Sequence, residues 1–211
     1  MRAAVSALLL GVLSATPVFA QVDRRIPVAA VDARAFFSRL NDDSTTAGAL
    51  DITVDELPNR ALGLVGGVHF YPMRGQKIAL GIGGELMIAR GKRQEKDEDG
   101  MPIGQPIHRR LHSLSPQISL NFGGRDGWSY LSAGMGPMVY MTFAGEEPPA
   151  DDPPSKATIN MGAGARWFFS NHLAFCFDVR WYLTRPADIT GEIPGRARAR
   201  LLMLSAGVSI K

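Results

Sequence analysis

The sequence predicts an all-β fold, an eight-stranded antiparallel transmembrane up-and-down β-barrel, and three observations predict it. The first is the stretch Ala157 to Arg185, which separates into two faces at a period of two. Ile159, Met161, Ala163, Ala165, Trp167 and Phe169 alternate with Thr158, Asn160, Gly162, Gly164, Arg166 and Phe168. Beyond Ser170-Asn171-His172 the pattern resumes, Phe175, Phe177, Val179, Trp181 and Leu183 against Ala174, Cys176, Asp178, Arg180 and Tyr182. Successive strand side chains point to opposite faces, so this is a β-hairpin with one apolar face and one small, polar or charged face. The second observation is arm length: about a dozen residues suits a tilted membrane strand better than the five or six usual in soluble sheets. The third is the order of connections along the chain, long and short in strict alternation, as in barrels with short turns at one end and longer loops at the other.

Residues 1–20, MRAAVSALLLGVLSATPVFA, read as a cleaved secretory signal. Arg2 is the positive n-region, Ala3 to Leu13 the apolar run and Val18-Phe19-Ala20 the small-residue cleavage site. Residues 21–211 then form a single domain, opening with a short lead-in at 21–27. Val28 to Arg39 is the first strand, with Ala29, Val31, Ala33, Ala35 and Phe37 outward and Ala30, Asp32, Arg34, Phe36 and Ser38 inward. Its Ala and Arg content also admits a helix. Residues 41–59 are a polar loop with room for a helical turn near Thr45–Leu50.

Arg60 to Tyr71 and Lys77 to Arg90 are strands two and three, joined by the turn Pro72-Met73-Arg74-Gly75. Leu62, Leu64, Val68, Phe70, Ile78, Leu80, Ile82, Leu86 and Ile88 face outward. Gly63, Gly67, His69, Tyr71, Gly81, Gly83, Glu85 and Met87 face inward. Residues 91–107, GKRQEKDEDGMPIGQPI, are expected to be a charged loop.

His108 to Phe122 and Trp128 to Phe143 are strands four and five around the turn 123–127. Pro116 and Pro137 lie at outward positions, where a missing N–H predicts a bulge or a local break. Met141 is expected outward. GEEPPADDPPSK at 145–156 is an acidic, proline-rich loop unable to pack a core. The Ala157–Arg185 hairpin supplies strands six and seven, residues 186–197 a last long loop, and Arg198 to Ile210 strand eight. Aromatics cluster at the short turns (Phe70, Tyr71, Phe122, Trp128, Phe168, Phe169), with Trp181, Tyr140 and Phe143 available for an opposite belt at the membrane–water boundary.

Eight alternating strands behind a cleaved signal resemble the small OmpA-type outer-membrane β-barrel domains. The resemblance covers nearly all of the mature chain and rests on architecture. It implies the bacterial outer membrane, outer-membrane lipids as surroundings, the barrel assembly machinery during biogenesis and a monomer. Such barrels end in an aromatic residue, whereas this chain ends Ser209-Ile210-Lys211.

Six inward residues form the most informative constellation: Asp32, Arg34, Glu85, Arg166, Asp178 and Arg180, three acids and three bases. An isolated buried charge is costly, so a balanced set predicts a salt-bridge network plugging a lumen only wide enough for its own side chains. Arg166 is expected to pair with Asp178, leaving Arg180 for Glu85 or Asp32. Inward glycines make room for these side chains. A second set, His108, Arg109, Arg110, Arg196, Arg198 and Arg200, clusters where strands four and eight meet the long loops. It is a candidate contact for lipopolysaccharide phosphates, or a partner for the acidic loops at 95–99 and 146–152.

Other chemistry is thinly supported. His69, His108, His112, Ser113, Ser115 and Glu85 are the ingredients of a His–Ser hydrolase, and some barrels of this size modify lipid A. But His112 and Ser113 face opposite ways, and Ser115, taken to share the face of His112, lies about 7 Å along it. No catalytic site is expected. Gly81-Ile82-Gly83-Gly84 continues as strand, with no helix to cradle a phosphate. No Cys or His cluster has metal-ligand spacing, Cys176 reads as a small inward residue, and no cofactor is implied. The mature chain, without Arg2, has 22 Lys and Arg against 20 Asp and Glu, a net of +2 that argues for no nucleic-acid partner. The expected role is structural or adhesive, through the outer loops. A narrow channel for small apolar or ionic solutes, a lipid-A-modifying enzyme and a soluble ligand-binding barrel are its rivals.

Overall fold

The computed structural model describes residues 25–211; the signal at 1–20 and the start of the lead-in lie outside the described residues. Eight strands follow one another around a closed antiparallel barrel: β1 (Ala29–Arg39), β2 (Arg60–Arg74), β3 (Ile78–Lys96), β4 (Pro102–Gly124), β5 (Gly127–Ala144), β6 (Ser155–Phe168), β7 (Leu173–Thr184) and β8 (Arg200–Ile210). β1 is a strand, not a helix. Its Val31 to Arg39 pairs with Ile210 to Leu202 of β8 and closes the sheet, leaving no edge exposed.

The period-two pattern decides which way each strand faces. Along β1, side chains alternate without a break between exposed and buried, Asp32, Arg34, Phe36 and Ser38 turning inward. β7 keeps the same alternation, with Phe175, Phe177 and Trp181 outside and Cys176, Asp178, Arg180 and Tyr182 within. The exposed side chains include Leu62, Leu64, Val68, Ile82, Leu86, Ile118, Leu131 and Phe175, a continuous apolar belt on the outside of the barrel. A water-soluble protein would bury this much contiguous apolar surface; a membrane barrel presents it to lipid.

The prolines produce a local break, not a bulge. β4 and β5 pair from Ile107↔Ala144 to Ser113↔Met138, then resume at Gln117↔Gly134 in the same register. The skipped stretch holds Pro116 and Pro137, each of which lacks the N–H a ladder requires.

Residues 91–107 correct the sequence reading. They are not a loop: β3 and β4 run on as a protruding hairpin, and only residues 97–101 turn. Pairing continues to Glu95↔Ile103 and Lys96↔Pro102 past a register shift beside Arg93. Gly104, at φ +64, and Pro106 fall in that shift, where a residue in the left-handed region and a missing N–H are tolerated. Backbone hydrogen bonds hold this arm without an apolar face, so hydrophobic periodicity carries no trace of it. The residues 40–59 connection does contain a helix, α1 (Ser44–Ala49), capped by the Asp43 side chain accepting from the Thr46 N–H.

Candidate functional site

The interior is filled in layers. At the short-turn end Tyr71, Trp128 and Tyr130 pack with Ile26, Ala30 and Ala79. Trp128 stacks on Phe168 at 5.2 Å between ring centroids and meets Tyr71 edge-on at 5.9 Å. Tyr71 is inside, as its inward parity predicts, and Trp128, expected at the lipid boundary, lies beside it: parity along the strand sets the face, whatever the interfacial preference. Ile26 of the lead-in, 2% exposed, caps this end and its carbonyl accepts from Arg74 Nη1 at 3.2 Å.

The middle layer contains all six predicted charges, every one buried, in one connected network. Arg180 on β7 donates Nε and Nη2 to the two Asp178 oxygens, each at 3.1 Å, and lies 3.5 Å from Glu85 Oε2. Its remaining donors reach Gln117 Oε1 at 2.8 Å, Asn160 Oδ1 at 2.7 Å and Ser132 Oγ at 2.8 Å. Arg34 on β1 pairs with Glu85 on β3 and lies 3.4 Å from Asp178. Tyr130 donates its hydroxyl to Asp178 Oδ2 at 3.0 Å. The Tyr130 ring occupies the space a Cβ on Gly164 would need, which is why a glycine stands opposite the middle of this layer.

One predicted pair is wrong. Arg166 does not pair with Asp178; it donates Nε to Asp32 Oδ1 at 3.0 Å, with Nη2 on the second oxygen, across the lumen from β6 to β1. The register explains the difference. Gly164 stands opposite Asp178 and Cys176 opposite Arg166, so the Arg166 side chain starts below Asp178, at the level of the aromatic layer. There its guanidinium lies over Tyr130 at 4.5 Å and Trp128 at 5.6 Å. His69, expected inward and counted among the hydrolase ingredients, belongs to the network, with Nε2 3.1 Å from Asp32 Oδ2. The inward polar alternation of β4 and β6 was the available signal for Gln117 and Asn160.

Above the charges comes a layer that the inward-facing residues foreshadow only singly: Phe36, Val65, Met87, Leu111, Met138, Tyr140, Tyr182, Leu201 and Met203 form one apolar cluster with Leu40 and Ala199. The loops then cover it. Arg109, 1% exposed, donates Nη1 to the Pro58 carbonyl at 2.8 Å and the Asn41 carbonyl at 3.1 Å, holding both ends of the β1–β2 connection. Arg196 donates to Thr184 Oγ1 at 2.6 Å and to the Arg185 carbonyl at 2.9 Å. Both guanidiniums lie over the Tyr140 ring, at 5.8 and 4.7 Å. Thr46 of α1 donates to the Gly195 carbonyl at 3.1 Å, tying the two loops together.

The basic set at the long-loop end is thus divided. Arg109 and Arg196 are internal struts. His108 lies 3.7 Å from Glu146 and stacks on Phe143, Arg110 lies over Phe143 at 5.1 Å, and Arg198 and Arg200 are exposed. Lys92, 2.9 Å from Glu146, holds that carboxyl below the usual carboxylate range by hydrogen bonding. Two expectations fail at this end for one reason. Met141 and Phe143, expected on the outer face and in an aromatic belt, are buried because Ile193 of the β7–β8 loop folds against them. Tyr140 points inward beneath the arginines, so of that belt Trp181 alone is exposed.

The hydrolase ingredients are dispersed. His112 is exposed on the outer face, while Ser113 and Ser115 point inward. Three residues of separation put Ser115 opposite His112, contrary to the expected shared face. Ser115 Oγ instead accepts from Asn160 Nδ2 at 2.7 Å.

No protein-family model matches the chain, and no curated protein matches it in sequence. Solved structures do. Neisserial surface protein A superposes with a TM-score of 0.51 at 13% identity, covering 88% of this chain and 97% of that one. The attachment invasion locus protein of Yersinia pestis (TM-score 0.46, 13% identity, 89% and 99% covered) and the outer membrane protein OprG of Pseudomonas aeruginosa (0.47, 13%, 88% and 96%) are more distant. At these identities the likeness establishes fold: the chain is a small eight-stranded barrel of the outer-membrane kind.

Proposed function

We propose that this protein is exported by a cleaved signal, is assembled by the barrel machinery into the bacterial outer membrane as a monomer, and works at the cell surface as a closed barrel. Its role is structural or adhesive, carried by the protruding β3–β4 hairpin and the β5–β6 and β7–β8 loops. The single observation behind this reading is the filled lumen. An aromatic layer, a charge network, an apolar layer and a strapped loop cover follow one another from end to end. Eight strands leave an interior that side chains can fill, and these do. The apolar belt outside supplies the reason to reside in a bilayer. No catalytic role is assigned, because His112 is on the other face of the wall from the serines, Ser115 Oγ accepts from Asn160 and Gln117, and His69 lies against Asp32.

The test is planar-bilayer recording on the refolded protein, together with mass spectrometry of lipid A from cells with and without it. The closed reading expects no single-channel steps and an unchanged lipid A. Reproducible ohmic steps would establish the channel alternative, and an altered acyl pattern the enzyme.

A further inference from the structure

The long-loop edge of the outer face ends in arginine on five neighbouring strands. Arg39 of β1 stands directly opposite Arg60 of β2, and Arg90 of β3 directly opposite Arg110 of β4. Arg60 is diagonal to Arg90, which pairs with Leu62; Arg200 of β8 is diagonal to Arg39, which pairs with Leu202. The row Arg200–Arg39–Arg60–Arg90–Arg110 therefore runs unbroken across half the barrel wall. Arg39, Arg60, Arg90 and Arg200 are each the next outward position beyond the apolar belt, following Phe37, Leu62, Ile88 and Leu202, while His112 stands between Arg110 and Leu114. From Arg60 to Phe70 the strand rises about 34 Å, or ~25 Å along the barrel axis at a tilt near 40°, the height of an outer-membrane apolar band.

Such a row is unfavourable by itself. Directly opposed side chains have Cβ atoms about 5 Å apart, and like charges there repel. Among the described residues none of these five arginines makes an ion pair; Glu146, on the β5–β6 loop, serves Lys92 and His108. Arg39, Arg60, Arg90 and Arg200 are exposed. Four of the five arginines lie open at the level where headgroups begin, with the half-buried Arg110 over Phe143 at the end of the row, and the counter-charge is left to come from the membrane. Guanidinium is the side chain suited to gripping phosphate through paired hydrogen bonds.

We propose that this row binds the phosphates of an outer-leaflet glycolipid, with acyl chains lying on the adjacent apolar wall. The site differs from the one the sequence pointed to, sharing only Arg110 and Arg200 with it. It rests on the reading of the protein as an outer-membrane barrel.

The test titrates the whole refolded protein, in zwitterionic detergent, with bisphosphorylated lipid A and with the same lipid dephosphorylated. Variants are Arg39→Gln with Arg60→Gln, and Arg90→Gln with Arg110→Gln. The phosphorylated lipid should bind the native barrel more tightly than its dephosphorylated form, and each double variant should weaken it at least about tenfold, as the loss of charge-assisted hydrogen bonds implies. Excess inorganic phosphate should not displace it, since it lacks the acyl anchor. Equal binding of both lipids, unchanged binding by the variants, or displacement by inorganic phosphate alone would each overturn the assignment. Heat-modifiable gel mobility, expected in native and variant proteins alike, reports the barrel independently. Its absence in the native protein would overturn the barrel reading beneath this site.

Discussion

Replacing Asp32 with alanine should destabilise the barrel strongly. Asp32 accepts two hydrogen bonds from Arg166, one at 3.0 Å, and has His69 Nε2 at 3.1 Å. Arg166 is 1% exposed, and among the described residues its guanidinium has no other carboxylate, only the faces of Tyr130 and Trp128. The variant leaves a buried cation unpaired, at a cost of about 3–5 kcal/mol. Arg166→Ala strands Asp32 in turn, although His69 remains to it. Removing both residues should cost much less than the sum, because neither orphan is then left. The coupling energy should be about 2–4 kcal/mol by the same reasoning. Reversible urea unfolding in lipid vesicles, run on the two single variants and the double, measures it. A parallel cycle on Arg166 and Asp178 should give a far smaller coupling, because those two do not touch. Coupling of Arg166 to Asp32 below about 0.5 kcal/mol, the scatter expected of independent sites, would refute the network drawn here.

Three further outcomes follow from the same geometry. Val179→Arg, placing a cation mid-strand on the lipid face, should lower insertion efficiency by about 2–4 kcal/mol; a soluble, folded variant would contradict the membrane assignment. Gly164→Ala should displace the Tyr130 side chain and weaken its bond to Asp178, seen as a lower unfolding midpoint; Tyr130→Phe with Gly164→Ala should recover little, since the added methyl still meets the ring edge and the Phe177 carbonyl. Protease added to intact cells should cut at 97–101, 145–154 and 185–199 and spare the turns at 75–77 and 125–126; the reverse pattern would invert the barrel.

The sequence carried the wall of this protein and little of what spans it. Alternation in β1 and β7 is unbroken, so every inward charge could be assigned its side from spacing alone. Partner choice could not. Whether Arg166 meets Asp178 beside it or Asp32 across the lumen depends on how far adjacent strands are staggered, and stagger accumulates around a closed sheet without leaving a periodic mark. The loop cover was hidden for a different reason. Arg109 and Arg196 look like surface bases in a polar stretch, and only the folded path of residues 40–59 and 185–199 brings carbonyls and Tyr140 to them. The β3–β4 arm escaped because charged residues such as Lys92, Arg93 and Glu95 can pair as strands through backbone bonds alone. The arginine row, too, is scattered in sequence from Arg39 to Arg200 and becomes contiguous only through the register of five strands.

The central claim is a wall that faces lipid outside and a closed interior within, and a nitroxide scan of β7 tests it most directly. With the sole cysteine, Cys176, changed to serine, single cysteines at 175–182 would be spin-labelled in reconstituted vesicles and probed with oxygen and a water-soluble nickel chelate. Labels at 175, 177, 179 and 181 should be open to oxygen alone, and labels at 176, 178, 180 and 182 to neither reagent. Nickel access at the even positions would mean an open, water-filled lumen, and nickel access at the odd positions would mean a barrel that is not in a membrane.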